Sequence, residues 1–322
     1  MIIIRTPLRI SFFGGGTDFP DYFREEGGSV LSSAIDKYVY VIVKERFDDK
    51  LRISYTRTEN VDHVDQVEHD LIREALRKTG VTKGIEIVTM GDIPAGTGLG
   101  SSSAITVGAL HALYAFQGIT VSRERLAQEA CEIEIDILKN PIGYQDQYIA
   151  ALGGLRFFEF HRDGTVGSDC VELDQEILRQ LSDHLLLFFT GTTRRAESIL
   201  TEQKEKIQRN LVALGKLKIM AEMAHAALIK GEFTTLGSLM SESWELKKGL
   251  ASGISNGILE EIYQTARKAG ALGGKIAGAG GGGFLMLLCT PEKKEGVRAA
   301  LANLRELPFH LEPDGSSMIF KS

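Results

Sequence analysis

A glycine- and serine-rich segment at residues 94–104, PAGTGLGSSSA, constrains this chain more than any other part of its sequence. It lies between a predicted strand at 85–88 and a predicted apolar helix at 104–116. Glycine tolerates positive φ and lets the backbone approach a ligand closely, while the free N–H groups and dipole at a helix start attract anions. Hydroxyl groups in this position can also ligate Mg²⁺. The segment therefore predicts an anion-binding loop in front of a helix.

The spacing of this loop excludes two better-known phosphate loops. A P-loop ends in Gly-Lys-Ser/Thr, but Gly100 is followed directly by Ser101 and the loop holds no lysine. A dinucleotide fingerprint needs a third glycine that is missing when counting starts at Gly96 or Gly98. The positive charge that a bound phosphate requires must therefore come from elsewhere in the chain.

Two further glycine clusters lie near the ends of the chain, at 9–18 (RISFFGGGTD) and at 273–284 (GGKIAGAGGGGF). The first ends in a threonine and an aspartate, which suit a polyhydroxylated ligand because a carboxylate accepts hydrogen bonds from sugar hydroxyls. The second is too rich in glycine for stable regular structure, and a segment of this kind is expected where the backbone passes close to a bulky ligand. Both clusters are therefore candidate ligand-binding segments.

The acidic residues between these clusters divide into two groups. Glu132 and Asp136 share one face of a predicted helix and are interpreted as solvated surface charges, whereas Glu134 projects elsewhere. Phosphoryl transfer to an alcohol needs a carboxylate near the hydroxyl, a metal ion on the phosphates and fixed positive charge. The residues that can supply these three elements are Asp146, Glu134 and either Arg9 or Lys275.

Composition excludes several classes of protein. The 322 residues carry a formal net charge of −6 without a local basic patch, so a nucleic-acid partner is not expected. Three cysteines without a CxxC pair argue against a disulfide framework or a structural zinc site and favour a reducing cytoplasm. The apolar stretch at 1–4 is too short for a signal peptide or a membrane span. We therefore expect a cytoplasmic protein with a small-molecule partner, and the sequence leaves a homodimer open.

Predicted strands and helices alternate along the whole chain, which indicates a mixed α and β fold with a boundary between 160 and 185. Several local expectations can be checked directly against the structure. They are pairing of a strand at 51–55 with one at 38–43, helices at 65–78 and 196–230, and a final hairpin at 309–312 and 317–320.

The three glycine clusters are spread over nearly the whole chain. They resemble the three motifs of the GHMP kinase family and follow one another along the chain in the same order as those motifs. Residues 94–104 look like the family's phosphate loop, 9–18 like its first motif in the sugar-kinase form, and 275–284 like its third. The resemblance implies an α+β, two-domain fold with the active site between the domains. A domain like ribosomal protein S5 domain 2 would span 1–170, and a ferredoxin-like domain would span 171–322. It also implies ATP as the phosphoryl donor and Mg²⁺ as cofactor.

The resemblance also implies roles for individual positions. Asp146 matches the catalytic aspartate that accepts or orients the hydroxyl proton, and Arg9 matches the basic residue that stabilises the attacking oxygen and the transferred phosphate. Glu134 matches the magnesium glutamate, joined by Ser101 or Ser102. The implied ATP-binding residues are Pro94, Gly96, Gly98, Leu99, Gly100, Ser101, Ser102 and Ser103. The implied substrate-binding residues are Gly16, Thr17, Asp18, Gly143, Arg194, Gly280 and Gly281.

Three stretches, at 5–18, 143–148 and 190–194, narrow this likeness to sugar kinases of the family that act on a heptose phosphate. They imply ATP-dependent phosphorylation of the anomeric C1 hydroxyl of D-glycero-D-manno-heptose 7-phosphate, giving the 1,7-bisphosphate for nucleotide-activated heptose synthesis. A kinase of a free sugar such as L-fucose is the alternative. A non-catalytic nucleotide- or sugar-binding regulator on the same fold is disfavoured, because the catalytic set of aspartate, glutamate, arginine and serines is intact.

Overall fold

The computed structural model describes residues 1–192 and 196–322, so the predicted ligand Arg194 lies outside the described residues. Twelve strands form two sheets within this part of the chain. The strands are β1 (Ile2–Phe13), β2 (Gly28–Glu45), β3 (Leu51–Ser54), β4 (Thr58–Val61), β5 (Ile85–Gly91), β6 (Leu155–Phe160), β7 (Val166–Cys170), β8 (Leu185–Phe189), β9 (Ala271–Ile276), β10 (Phe284–Cys289), β11 (Arg305–Glu306) and β12 (Ser317–Lys321).

Eleven α-helices in the described residues pack against these sheets, and the α+β class is as predicted. The helices are α1 (Pro20–Glu26), α2 (Asp70–Thr79), α3 (Ser101–Phe116), α4 (Arg123–Cys131), α5 (Gln145–Leu152), α6 (Gln175–His184), α7 (Ala196–Glu205), α8 (Leu211–Ile229), α9 (Phe233–Lys248), α10 (Gly257–Lys268) and α11 (Pro291–Ala300). A π-helical turn, Glu132–Ile137, continues α4, and the segments Val64–Gln66 and Ile207–Arg209 are 3₁₀ turns.

The first sheet is organised by the long strand β2. Along its length β2 pairs antiparallel with β1, while its second half pairs with β5 and its first half with β6. The buried helix α3 packs across β1 and β2, and Gly108 makes this contact possible. A Cβ atom at Gly108 would lie 2.9 Å from the Thr6 hydroxyl and 3.0 Å from a methyl of Val41, so a larger residue would push α3 off the sheet. The start of α3 is thereby held beside the middle of β1.

The second sheet has the antiparallel order β11-β8-β10-β9, and its central strand β10 is buried along its whole length. Helix α9 packs on β9 at a glycine contact, because Gly237 faces Leu272 with no room for a side chain. Trp244 of α9 is 1% exposed and fills the apolar core between the helices and this sheet. The C-terminal end of α9 is therefore held rigidly beside the glycine-rich segment that follows β9.

Two pairing predictions are wrong. Strand β3 does not pair with β2; it pairs parallel with β5 and antiparallel with β4, because β5 occupies the edge of β2 over Val39–Glu45. The expected final hairpin is also absent from the described residues. Strand β12 pairs with β1, and of the segment 309–312 only Leu311 forms an isolated bridge, to Ile35. Local alternation of apolar residues marks strands well but does not tell which distant edge they will join.

Two predicted helices have different bounds. The helix expected at 65–78 begins only at Asp70, because Gln66 folds back in a 3₁₀ turn and accepts hydrogen bonds from the backbone N–H groups of Asp62 and His63. The helix expected across 196–230 is interrupted between α7 and α8, where the Asn210 side chain donates to the Leu250 carbonyl. Both interruptions depend on contacts that local periodicity does not contain.

The division of the chain at residues 170 and 171 stays a prediction. The described structure adds that the second segment does not form a separate sheet system, since β12 returns to the edge of the first sheet. Among the described residues, none of the helices is both long enough and apolar enough to cross a membrane. All three cysteines are free: Cys131 and Cys289 are buried, whereas Cys170 is exposed.

Candidate active site

The loop in front of α3 has the backbone that its glycines predict. Gly96, Gly98 and Gly100 have φ of +77°, +83° and +79°, a region that residues with a Cβ rarely adopt. Gly100 immediately precedes the first turn of α3, which begins at Ser101. The loop therefore turns its backbone into a helix N-terminus, where free N–H groups and the helix dipole favour an anion.

The third glycine cluster packs directly against this loop. A Cβ atom at Gly98 would lie 2.6 Å from the carbonyl oxygen of Ala277, and one at Gly278 would lie 2.7 Å from the Cα of Gly98. Gly283 makes a similar contact, because a Cβ there would overlap the Thr97 carbonyl. The glycines of the two clusters thus allow two backbones to touch, which joins the two halves of the candidate site.

Replacing Gly98 with alanine tests this contact. We expect G98A to lose about 2–4 kcal/mol of unfolding free energy, since the change combines strain at positive φ with a steric clash. The matched control is G96A, which has a similar positive φ but no atom within 4 Å of its added Cβ. Urea unfolding of both variants measures the difference, and equal losses would show that the contact with Ala277 contributes nothing.

Arg9 connects the loop to the predicted catalytic aspartate. Its Nε donates to Asp146 Oδ1 at 2.7 Å and its Nη2 donates to Asp146 Oδ2 at 2.5 Å, while its Nη1 donates to the Gly98 carbonyl at 2.5 Å. Gly100 leaves room for this pair, since a Cβ there would lie 3.1 Å from Arg9 Cγ and 3.4 Å from Asp146 Oδ2. The bidentate geometry fixes the Asp146 carboxylate in front of the phosphate loop.

Arg9 and Asp146 line a pocket, and Asp18, which is almost completely buried, also lines it. Its carboxylate accepts hydrogen bonds from the backbone N–H of Gly16 at 2.9 Å and from the side chain of Gln145 at 3.0 Å. Burial raises the pKa of Asp18. Gly143 packs on this carboxylate so closely that any side chain there would overlap it. Asp18 thus holds the first glycine cluster against the start of α5, beside Asp146.

Three predicted substrate ligands do not line this pocket. The Thr17 hydroxyl is fully buried, donates to the Gly14 carbonyl at 2.8 Å and accepts from the Ser29 N–H at 3.1 Å, so the structure gives it a role in holding the loop. Gly280 and Gly281 pack instead on Ile254, whose carbonyl accepts a hydrogen bond from the Gly281 N–H at 2.8 Å. Gly16, Asp18 and Gly143 do line the pocket, and their binding of substrate stays a prediction.

The buried carboxylate of Glu134 lies behind the phosphate loop. The π-helical turn places it at 0% exposure, where it accepts hydrogen bonds from Ser102 Oγ at 2.8 Å and from Gln147 Nε2 at 3.0 Å. Burial raises the pKa of Glu134 to about 7. Its neighbours Glu132 and Asp136 are exposed, which confirms that they are surface charges. Glu134 is therefore the one acidic residue of this turn available to the site.

The donor atoms around Glu134 suit a hard cation. A desolvated carboxylate beside the Ser102 hydroxyl offers two oxygen ligands of the kind that Mg²⁺ prefers. Within the described part of the chain, no three histidine, cysteine or acidic side chains converge on a metal position. A magnesium ion here would therefore need further oxygen ligands from the nucleotide phosphates. Ser102 contacts Glu134 directly, which favours it over Ser101 as the serine ligand.

Several pocket residues were not identified from the sequence. Lys247 of α9 and Gln203 of α7 line the pocket although they lie in ordinary helical segments without a motif. Ser11 Oγ and Gln145 Oε1 also belong to pocket residues, and both atoms are buried without a hydrogen-bond partner among the described residues. Unsatisfied buried polar atoms are costly, so a ligand with hydroxyl groups would relieve them. Lys275, by contrast, donates to the Phe12 carbonyl and does not line the pocket.

Comparison with known proteins shows which proteins this chain is similar to. The family description "GHMP kinases N terminal domain" matches residues 67–154, and "GHMP kinases C terminal" matches residues 224–306. The chain is 32% identical to D-glycero-alpha-D-manno-heptose 7-phosphate kinase of Campylobacter jejuni, over 92% of each chain. It is 30% identical to L-fucokinase/L-fucose-1-P guanylyltransferase of Bacteroides fragilis over 92% of this chain, and spans 35% of that longer protein.

Solved structures show the same two-domain architecture. The crystal structure of a D-glycero-D-manno-heptose 1-phosphate kinase from Bacteroides thetaiotaomicron superposes with a TM-score of 0.84 at 28% identity and covers 100% of both chains. A putative sugar kinase from Campylobacter jejuni gives a TM-score of 0.76 at 30% identity, over 98% of this chain and 97% of that one. These similarities extend over the whole chain and both sheets.

Proposed function

Because this chain belongs to the GHMP kinase family and is an ATP-dependent sugar kinase, we propose that it phosphorylates the anomeric C1 hydroxyl of D-glycero-D-manno-heptose 7-phosphate. The product would be the 1,7-bisphosphate. The observation that carries the proposal is the side chain of Arg9, which bonds both the Asp146 carboxylate and the Gly98 carbonyl. It couples a candidate base to the loop that would hold the donor phosphates.

The residues of the pocket support a separate role for each of them in this reaction. The backbone of the phosphate loop and the start of α3 would bind the ATP phosphates, and Asp146 would accept a hydrogen bond from the reacting hydroxyl and orient it. Arg9 would hold Asp146 in place and stabilise negative charge on the transferred group. Glu134 and Ser102 would hold Mg²⁺, which supplies charge neutralisation on the phosphates when bound.

Two buried polar atoms of residues that line the pocket with Asp146 support a sugar as the acceptor. Ser11 Oγ and Gln145 Oε1 have no hydrogen-bond partner in the part of the chain that the structure describes. Gly15 leaves space beside them, since its added Cβ would lie 3.7 Å from Ser11 Oγ and 3.6 Å from the Gln145 amide nitrogen. A polyhydroxylated ring can donate to both atoms, which a purely apolar acceptor cannot do. This arrangement fits any sugar of suitable shape, so the choice of a heptose phosphate is supported mainly by the 32% identical relative.

A free sugar such as L-fucose is the second candidate, supported by the 30% identity to the bifunctional fucokinase. The purified protein with MgATP should be assayed with heptose 7-phosphate, heptose 1-phosphate, L-fucose and D-galactose, with the product position determined by phosphorus NMR. We expect heptose 7-phosphate to be consumed with a kcat/KM at least ~10²-fold above the other three, since loss of a buried charge partner costs roughly this factor. Equal or faster turnover of L-fucose would reject heptose 7-phosphate as the substrate. Phosphorylation of heptose 1-phosphate would reject the C1 hydroxyl as the position of transfer.

A further inference from the structure

Lys247 is a buried cation that the described residues do not neutralise. It is 6% exposed at the C-terminal end of α9, and its side chain lines the pocket that contains Arg9 and Asp146. Its ammonium donates to the carbonyl of Gly278. No carboxylate within the described ranges 1–192 and 196–322 forms an ion pair with it. An ammonium held in this way retains donor capacity that the protein leaves unused.

The nearby carboxylates are already engaged by other groups. Asp146 forms its bidentate pair with Arg9, and Asp18 accepts from Gly16 and Gln145. Burial, and then the charge of Arg9, lowers the pKa of Lys247 to about 8. Keeping an uncompensated ammonium out of water is costly, and a bound anion would offset that cost. Within the residues that the structure describes, the pocket therefore combines carboxylates that have partners with an ammonium whose one partner is a carbonyl.

The position of Lys247 relates this cation to the phosphate loop. Its carbonyl partner, Gly278, packs on the backbone of Gly98. The carbonyl of Gly98 in turn accepts from Arg9. Arg9 thus bonds the loop itself, whereas Lys247 bonds the segment that packs on the loop. Both side chains line the same pocket, one from a strand of the first sheet and one from a helix on the second, so a single phosphoryl group bound there can contact both cations.

We propose that Lys247 is a catalytic residue that binds the phosphoryl group while it is transferred from ATP to the sugar. This inference rests on the proposed kinase reaction, not on the identity of the sugar. In the step, the hydroxyl oxygen of the sugar forms a bond to the γ-phosphorus and the bond from the γ-phosphorus to the β,γ-bridging oxygen breaks, leaving its electron pair on ADP. The hydroxyl proton goes to Asp146. Lys247 keeps its protons and donates hydrogen bonds to the non-bridging oxygens, where negative charge is greatest.

The test compares three variants of the full-length enzyme. K247M removes the charge and keeps the length of the side chain, whereas K247R keeps a charge and hydrogen-bond donors. The matched control is K248M, since the neighbouring Lys248 forms ion pairs with Glu245 and Glu260 away from the pocket. Steady-state kcat and KM are measured on heptose 7-phosphate and on the same heptose without its phosphate. The Kd for ADP is measured by calorimetry, and thermal unfolding verifies that each variant is folded.

We expect K247M to lower kcat by ~10²-fold or more on both sugars, as removal of one preorganised donor to a developing charge does. The Kd for ADP should stay within about twofold of wild type, because ADP lacks the transferred group, and K247R should recover part of kcat. K248M should behave as wild type. A K247M enzyme with unchanged kcat would overturn the proposal. So would a loss confined to the KM for the phosphorylated sugar, which would assign Lys247 to the substrate's own phosphate.

Failure of the proposed substrate gives a different pattern of results from failure of this inference. If wild type does not accept heptose 7-phosphate, the proposed substrate is wrong, and the same variants are compared on whichever sugar the wild type does phosphorylate. A purely structural Lys247, needed only to hold the Gly278 carbonyl, would lower the unfolding temperature and weaken ADP binding together with kcat. That result would also overturn the proposal.

Discussion

The D146N variant should lose about 10³-fold in kcat while its Kd for ATP stays within a few-fold of wild type. Asparagine keeps the size of the side chain and can still accept one hydrogen bond from Arg9, which in the native enzyme donates to both carboxylate oxygens. It cannot accept the proton of the sugar hydroxyl or attract it as a carboxylate does. Rapid-quench kinetics with MgATP and heptose 7-phosphate measure the chemical step, and calorimetry measures nucleotide binding.

A suitable control for this variant is D136N, since Asp136 is an exposed carboxylate on the π-helical turn and lies outside the pocket. We expect D136N to keep the wild-type kcat. A D146N enzyme that retained more than about a tenth of the wild-type kcat would remove Asp146 from the proton-handling role. A large loss of ATP affinity in D146N would instead indicate that its pair with Arg9 mainly shapes the phosphate loop.

The E134Q variant should show the second large effect, through loss of the proposed magnesium ligand. Several kcal/mol of charge stabilisation by a metal correspond to a kcat lower by ~10²–10³-fold. Glutamine retains the shape; its carbonyl can accept from Gln147 and its NH2 group can donate to the Ser102 hydroxyl, so the fold should persist. Activity should be measured over a range of Mg²⁺ concentrations. An unchanged kcat with unchanged magnesium dependence would rule out Glu134 as the ligand.

Glu134 also predicts how stability depends on pH in the absence of metal. Burial raises its pKa in the folded protein from 4.5 to about 7. The folded state therefore holds the proton more tightly than the unfolded state, so this contribution is fully present below pH 4.5 and is lost as pH rises through about 7. On the order of 3 kcal/mol is involved. Urea unfolding at pH 5 and pH 8 should show a smaller difference for E134Q than for wild type; equal differences would contradict the raised pKa.

Sequence patterns predicted two local features of the site: the backbone of the glycine loop and the separation of Glu134 from its exposed neighbours. The positive φ of Gly96, Gly98 and Gly100 follows from the conformational freedom of glycine, which local sequence displays directly. Helix geometry likewise separated Glu134 from the exposed Glu132. These features depend on a few neighbouring residues, so one sequence is sufficient to propose them.

The features that the sequence did not predict all depend on contacts between distant segments. Lys247 lies in a helix of ordinary composition, and only the packing of α9 on β9 turns it toward the pocket. Thr17 sits inside a recognisable motif, yet its hydroxyl is used by Gly14 and Ser29 instead of facing a ligand. A motif indicates that a segment belongs to the site; which of its side chains point inward is decided by tertiary packing.

The pairing of β12 with β1 has a consequence for biosynthesis. Strand β1 leaves the ribosome well before residues 317–321, which cover its edge in the folded protein. Until then, the N–H and C=O groups along Ile2–Arg5 remain an open edge, which is a template for pairing between nascent chains. A segment ending near residue 170 would keep that edge open permanently, so such a fragment should aggregate when expressed alone, and supplying a peptide with the sequence of β12 should suppress the aggregation.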